Sequence, residues 1–165
     1  MGYFKISMVL LRSLLAVMIS TPIQAYANGM DSLSVSLKVT HSVVKSGELP
    51  KLELKIENIS DKEVRILNIS GRVDLQDTYC EAIFLKDGNS FNYNVAISDP
   101  GSVRDQDFVI LSSGKELVID LAKPNIDPAS LLPGKYGVYV VYRPNPEKYS
   151  DAYRTQVVDF VVTKK

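Results

Sequence analysis

The side chains best suited to acid–base, nucleophilic or metal chemistry are scarce in this sequence. It contains one histidine, His41, and one cysteine, Cys80, among 165 residues. A catalytic zinc site needs two or more histidines or a cluster of cysteines, so these two residues do not supply one. A Cys80–His41 nucleophile pair stays open as an alternative. The sequence has no Gly-x-Ser-x-Gly elbow and no glycine-rich phosphate loop.

The carboxylates are scattered along the chain. The densest groups are Asp74 with Asp77, and Asp99 with Asp105 and Asp107. Calcium takes about six to eight oxygens from converging loops, and neither group has the spacing of an EF-hand loop. We interpret them as solvated loop acids, and we predict no catalytic residue, no metal ligand and no cofactor. Glycoside hydrolysis by paired carboxylates stays an alternative, although a chain without tryptophan lacks the usual platform for stacking sugars.

One segment combines residue types that bind proteins. It is "RPNPEKYSDAY", residues 143–153, in which two prolines fix φ and so reduce the entropy lost on binding. Arginine and tyrosine are enriched at protein interfaces. We predict a partner-binding loop that contains Arg143, Asn145, Glu147, Tyr149 and Tyr153. The loop beside it at the same end of the fold would be "SGRVDLQDTY" or "SDPGSVRDQ". The alternative is that residues 143–153 are an ordinary long hairpin connection without a binding role.

The elements that would carry this loop are strands. From Leu33 onward apolar and polar residues alternate, as in "LSVSLKVT" and "KLELKIEN", and a helix with its period of 3.6 cannot place such residues on one face. Sequences rich in turn formers separate about seven to nine such stretches. The pattern predicts an all-β fold, an antiparallel immunoglobulin-like β-sandwich.

The order of the stretches also predicts pairings. "ENISDKE" reads as a hairpin connection into "EVRILNI", and the Asp87-Gly88 turn joins "CEAIFLK" to "FNYNVAI". "DFVIL" should pair with "KELVIDL", and "KYGVYVVYR" with "TQVVDFVV". We expect one short helical turn in "DPASLL" and no amphipathic helix of useful length.

The strand "KYGVYVVYR" has two largely apolar faces, which predicts a central position. Tyr136 follows "LLPG" at the start of the strand, where the tyrosine corner of such sandwiches places a phenol that bonds back to upstream backbone. We therefore assign Tyr136, Tyr139 and Tyr142 to the fold, with Tyr139 on the outer face. Cys80 is interpreted as a half-buried strand residue, and a free thiol for intermolecular pairing is the alternative.

Three segments resemble a known family. "LELKIENISDKEVRILNIS" looks like its strand–turn–strand unit, "VILSSGKELVIDL" like its element from Leu-x-x-Gly to Asp-Leu, and "LLPGKYGVYVVYR" like its closing Leu-x-Pro-Gly-x-Tyr strand. The family is the immunoglobulin-like domain at the N-terminus of deuterolysin-like and peptidyl-lysine metalloendopeptidases, and of stand-alone bacterial relatives. The resemblance covers about residues 33–162. The family's zinc-binding His-Glu-x-x-His helix has no matching residues here, so the resemblance implies a fold and no protease activity.

The first 27 residues have the composition of an export signal. Lys5 and Arg12 precede or interrupt a short apolar run, and Ala25 and Ala27 form an A-x-A site. The run is shorter than the roughly 20 residues that span a bilayer, although a membrane anchor is the alternative. We predict a signal peptide over residues 1–27 and one domain over residues 28–165, with no stable membrane span after cleavage.

The net charge and the predicted export limit the classes of molecule that the protein could bind. Cleavage removes two of 19 basic and none of 19 acidic residues, which leaves a net charge of about −2 and disfavours nucleic acid. The predicted function is a secreted or periplasmic non-enzymatic module that binds a protein, either an envelope protein or a protease. The alternatives are a loop-inserting protease inhibitor, and an enzyme that uses Cys80 or the scattered carboxylates.

We expect the exported protein to begin at Asn28, or at residue 26 if cleavage follows Ala25. N-terminal sequencing and intact mass of the protein recovered from a host that expresses the full chain measure this. A mature protein that retains Met1 and stays with the membrane would contradict the signal-peptide assignment and support the anchor.

Overall fold

The computed structural model describes residues 32–91, 102–121, 126–148 and 150–165. The predicted all-β class is confirmed, because strands dominate these residues and the helical elements are short. The strands are β1 Leu33–Val39, β2 Val43–Lys45, β3 Leu52–Asn58, β4 Val64–Leu67, β5 Cys80–Lys86, β6 Asn89–Phe91, β7 Phe108–Leu111, β8 Glu116–Leu121, β9 Gly134–Tyr142, β10 Tyr153–Arg154 and β11 Val158–Thr163. The helix α1 spans Val73–Tyr79, and 3₁₀ turns span Asp105–Asp107 and Pro128–Ser130.

The strands form three sheets. One has three strands in the order β1-β3-β8, and one has six, in the order β2-β11-β9-β5-β6 with β10 also paired to β9. The third joins β4 to β7. All pairs are antiparallel except β2 with β11, which is parallel. The predicted central position of β9 is confirmed, since β11 and β5 flank it.

Alternate residues of the strands meet in one hydrophobic core. Leu54 and Ile56 of β3, Ile66 of β4 and Val138 of β9 are fully buried, so all three sheets contribute to the same cluster. The period of two therefore sorts inward from outward side chains as the sequence pattern predicts. Tyr136 donates from its hydroxyl to the carbonyl of Leu132 at 2.7 Å, which confirms the predicted bond from this phenol back to upstream backbone.

Two of the predicted pairings are wrong. β4 pairs with β7 and β3 pairs with β8, in place of the hairpins β3–β4 and β7–β8. The connections after β3 and after β7 both carry the chain between the same two sheets. They lie side by side, because the backbone N–H of Asn58 donates to Lys115 O and the backbone N–H of Gly114 donates to Asn58 O. The β5–β6 hairpin and the β9–β11 pair are confirmed.

Among the described residues, the structure contains one α-helix that the sequence did not predict and one helical turn that it did. Residues 73–79, predicted as loop, form α1, whose Leu75, Gln76 and Tyr79 are buried. A helix of seven residues shows too little of its 3.6 period to be recognised in the sequence. The predicted helical turn in "DPASLL" is confirmed at Pro128–Ser130. The part of "FNYNVAI" beyond residue 91 lies outside the described residues.

Asn58 is the polar centre of the paired connections. Its side chain is fully buried, and its amide nitrogen donates to Lys62 O and Leu111 O, each at 2.7 Å. Its amide oxygen accepts from the N–H of Ser60 at 3.0 Å and the hydroxyl of Ser60 at 2.8 Å. One side chain thus fixes the turn after β3 and the end of β7, and its burial leaves no room for a glycan at this Asn-Ile-Ser sequence.

We expect Asn58→Ala to lower the free energy of unfolding by about 2 to 3 kcal/mol, because the buried carbonyl of Leu111 and the partly buried carbonyl of Lys62 lose their donor. Asn68→Ala is the matched control: Asn68 opens a second Asn-Ile-Ser sequence but accepts one bond, from Ser70 N–H at 3.0 Å. Its expected cost is under about 1 kcal/mol. Urea unfolding followed by circular dichroism measures both, and equal losses would contradict the role given to Asn58.

Candidate functional site

Three chain segments meet where β4 and β9 end and where β5 and β7 begin. We call them the loop cluster: residues 68–79, which include α1, residues 104–107, and the described residues 143–148 and 150–152. Asn68 N–H donates to Asp107 O at 2.7 Å, and Arg143 N–H donates to Tyr79 O at 2.8 Å. The sequence left open which of two loops accompanies residues 143–153. Residues 70–79 lie beside the segment after β9, whereas residues 104–107 are joined to Asn68 and Arg72.

The peptide of Leu67 fixes the base of the loop cluster. Tyr142 donates from its hydroxyl to Leu67 O at 2.5 Å, and the N–H of Leu67 donates to Pro144 O at 2.9 Å. Tyr142 is fully buried, and this burial raises the pKa of its phenol well above the ordinary value. The phenol therefore stays protonated and remains a donor. The end of β4 is tied to the end of β9 at two consecutive points.

The segment after β9 folds through turns of its own. The Asn145 side-chain oxygen accepts from Glu147 N–H at 3.0 Å, and Lys148 N–H donates to Asn145 O at 3.2 Å. Asp151 N–H donates to Lys148 O at 2.8 Å. Pro144 is buried against the body of the protein, while Glu147 and Lys148 are exposed. The segment is an anchored double turn that presents a glutamate and a lysine to solvent.

The structure distributes the five predicted contact residues differently. Arg143 and Asn145 are half-buried, Glu147 is exposed, and Tyr149 lies outside the described residues. Tyr153 is a correction: it is 6% exposed and belongs to the core. It pairs with Tyr142 across β10 and β9, which places it on the same inward face. A two-residue strand has too few positions for its inward face to be recognised in the sequence.

Two of the acids predicted to be solvated, Asp74 and Asp107, instead belong to an ionic network. Asp105 is fully exposed, as predicted, and Asp99 lies outside the described residues. Asp107, 7% exposed, accepts from Arg72 Nη1 at 2.9 Å and from Arg104 N–H at 2.8 Å. Arg72 also holds Asp74 at 2.9 and 2.6 Å, and this hydrogen bonding lowers the pKa of Asp74 to about 2. The network ties α1 to the 3₁₀ turn before β7. The Arg-x-Asp spacing at the start of α1 could have indicated the Arg72–Asp74 pair, but nothing in the spacing indicates Asp107.

Cys80 is poorly suited to nucleophilic chemistry. It is 8% exposed, and burial raises the pKa of its thiol to about 12, partly offset by the charge of Arg143. The thiolate is the nucleophilic form, so Cys80 is protonated and inert at neutral pH. His41 is exposed between β1 and β2, and the structure records no hydrogen bond between these two residues.

Two negative findings hold for the described part of the chain. Within residues 32–91, 102–121, 126–148 and 150–165, no three His, Cys, Asp or Glu side chains stand close enough together to hold a metal ion. In the same residues no helix combines the length and the apolar character needed to cross a bilayer.

Comparisons with known proteins give distant structural similarities. No family model and no curated protein matches the sequence. A β-glucosidase from Erythrobacter marinus aligns with 80% of this chain and 15% of its own, at TM-score 0.43 and 9% identity. A β-glucosidase from Listeria innocua aligns with 81% and 16%, at 0.40 and 14%. The sporulation control protein Spo0M from Bacillus subtilis aligns with 81% and 50%, at 0.40 and 12%. The chain thus spans half or less of each of these proteins, and similarities of this size carry no argument about its activity.

We expect Cys80 to resist alkylation by iodoacetamide in the folded protein at pH 8 and to react fully once the protein is unfolded in urea. Both the burial of the sulfur and its protonation slow the reaction. Mass spectrometry of the labelled chain measures the extent. Rapid labelling of the folded protein would contradict the buried thiol and reopen the nucleophile alternative.

Proposed function

We propose that the protein is an exported, non-enzymatic immunoglobulin-like β-sandwich that binds another protein through the loop cluster, at the cell envelope or outside the cell. One observation carries this proposal. The three segments of the cluster are hydrogen-bonded to one another and to the sheets, so their shape is set before a partner arrives. The basic and apolar N-terminal segment of the sequence supports the export part.

The strand order supports the sandwich part of the proposal. An immunoglobulin sandwich places strands A, B and E in one sheet and C, F and G in the other. β1, β3 and β8 stand in the order A-B-E, and β11, β9 and β5 in the order G-F-C. β1 and β2 then divide strand A between the two sheets. This assignment agrees with the resemblance to the N-terminal domain of deuterolysin-like endopeptidases, which stays part of the proposal.

Pre-formed loops favour binding energetically. Ordering a mobile side chain at an interface costs about 0.5 to 1.5 kcal/mol, and ordering backbone costs more. In this protein Asn145 already fixes the turn, and Pro144 already holds φ at the base. Glu147 and Lys148 at the tip supply charges of both signs, which suits a polar protein surface better than a polyanion.

The loop-inserting inhibitor is the weaker of the two binding functions. Segments that bind as strands need an extended backbone with free main-chain groups. Glu147, Lys148 and Asp151 instead use their N–H groups in two consecutive turns. Protease inhibition is therefore treated as one possible outcome of the binding experiment described next.

The test exchanges the charges at the tip. The double variant Glu147→Lys with Lys148→Glu keeps the net charge and the turn, and we expect it to weaken partner binding by about tenfold or more. The matched control is Lys62→Glu with Glu63→Lys, an exposed neighbouring pair in the connection before β4, at the opposite end of that strand.

The partner is first identified by cross-linking on the cells that produce the protein, and its affinity for each variant is then measured by calorimetry. Cross-links that map away from the loop cluster, or equal affinities for the two double variants, would overturn the proposal. Inhibition of a cysteine, serine or metallo-peptidase that the tip variant abolishes would replace the binding module by the inhibitor.

A further inference from the structure

The outward faces of the two larger sheets differ in chemistry. On the three-stranded sheet, outward side chains form ion pairs: Lys55 with Glu116 at 2.5 Å and Lys38 with Glu53 at 3.8 Å. On the six-stranded sheet the outward residues are largely apolar. We call this apolar group the outer patch, and its members are Ile83, Leu85, Tyr139, Val141, Val157 and Val161.

Strand register places these residues on one face. Ile83 stands opposite Tyr139, and Leu85 opposite Gly137, whereas the alternating residues Phe84 and Val138 are buried in the core. The patch thus runs across β5, β9 and β11 on the side away from the core. Val157 packs over Gly137, where an added Cβ would stand 2.7 Å from Val157 Cγ1. Glycine at this position keeps the middle of the patch closely packed.

The outer patch is accessible. Val157 is 44% and Val161 37% exposed, and the other four members are half-buried. A contiguous apolar group on a sheet face marks an interaction surface when polar residues surround it. Here Glu81, Arg154 and Lys135 border the group, and Asp159, opposite Gly137, lies within it between Val157 and Val161.

We infer that the outer patch binds a second copy of this chain. Two charged side chains of opposite sign beside Val141 support this inference. Glu81 of β5 and Arg154 of β10 both stand opposite Val141 of β9, one on each side. Each is therefore about one interstrand spacing, about 4.8 Å, from Val141 in opposite directions. A two-fold axis parallel to β9 places Val141 on Val141 and each Glu81 over the other copy's Arg154.

Around Val141 this arrangement is complementary to itself, as a two-fold interface must be. The same axis sets Lys135 opposite the other copy's Lys135, about 20 Å farther along β9, so the complementarity lies in the Glu81–Arg154 pairs. An apolar ligand or a lipid surface gains nothing from charges of opposite sign at equal offsets. Arg154 already lies over the ring of Tyr139, 3.9 Å from its centroid, and arginine and tyrosine are residues that dominate interface energies. The patch and the loop cluster are different surfaces, so this inference does not rest on the proposed function.

The experiment measures the molecular weight of the purified protein, expressed from the full chain, by sedimentation velocity over a range of concentrations. We expect a monomer–dimer equilibrium. Val157→Glu should weaken the dimer by at least about tenfold. Val118→Glu is the matched control, because Val118 is 45% exposed on the outward face of the other sheet, and it should leave the equilibrium unchanged.

A charge reversal tests the two-fold arrangement itself. Arg154→Glu should weaken the dimer by about tenfold, because it sets two negative charges against each other, and the double variant with Glu81→Arg should restore it. Circular dichroism confirms that each variant is folded. A wild-type monomer at every concentration, or equal effects of Val157→Glu and Val118→Glu, would overturn the inference. Failure of the double variant to restore association would overturn the proposed axis.

Discussion

The hydrogen bond from the Tyr142 hydroxyl to the carbonyl of Leu67 is the interaction on which the position of the loop cluster depends. A phenol buried among apolar side chains needs an acceptor, because an unpaired hydroxyl there costs about 1 to 3 kcal/mol. The acceptor is the last carbonyl of β4, a strand of another sheet. The neighbouring N–H of Leu67 binds Pro144, so the same peptide also holds the segment after β9. Packing of one aromatic ring therefore determines where the loop cluster begins.

β9 uses its three tyrosines in different ways, and burial separates them. Tyr136 and Tyr142 point inward and bind backbone carbonyls near opposite ends of the strand. Tyr136 also stacks on Phe160, with ring centroids 5.5 Å apart. Tyr139 points outward under Arg154 and takes no part in the core. A strand with apolar residues on both faces is expected in the middle of a sheet whose two faces are both covered. In the described residues, no layer covers the outward face of β9.

Much of the fold could be predicted from the sequence because it is local. Alternation identified the strands, and the turn formers at residues 87–88 identified the β5–β6 hairpin. The partners of β3, β4, β7 and β8 could not be predicted, because the buried side chain of Asn58 joins connections that are 53 residues apart. Periodicity reports which residues share a face and not which strand lies beside them.

The candidate site was predicted in part. The segment after β9 and its two stiffening prolines were recognised, and both neighbouring loops were named as alternatives. Tyr153 was misassigned because its two-residue strand shows no period. The ionic network of Arg72, Asp74 and Asp107 was missed because it joins residues 35 positions apart. Such contacts depend on the tertiary arrangement of the sheets, which residue spacing alone does not encode.

The direction of β9 connects the two surfaces. A two-fold axis parallel to this strand keeps the strand direction in both copies, so both loop clusters would lie at the same end of the proposed dimer. Two clusters that face one way can engage two sites on one surface, and the second contact then forms at the high effective concentration that the dimer imposes. Weak binding by each cluster would then suffice for firm attachment to a surface that repeats the site. The apolar outer face and the short charged loop are thus consistent with a single mode of action.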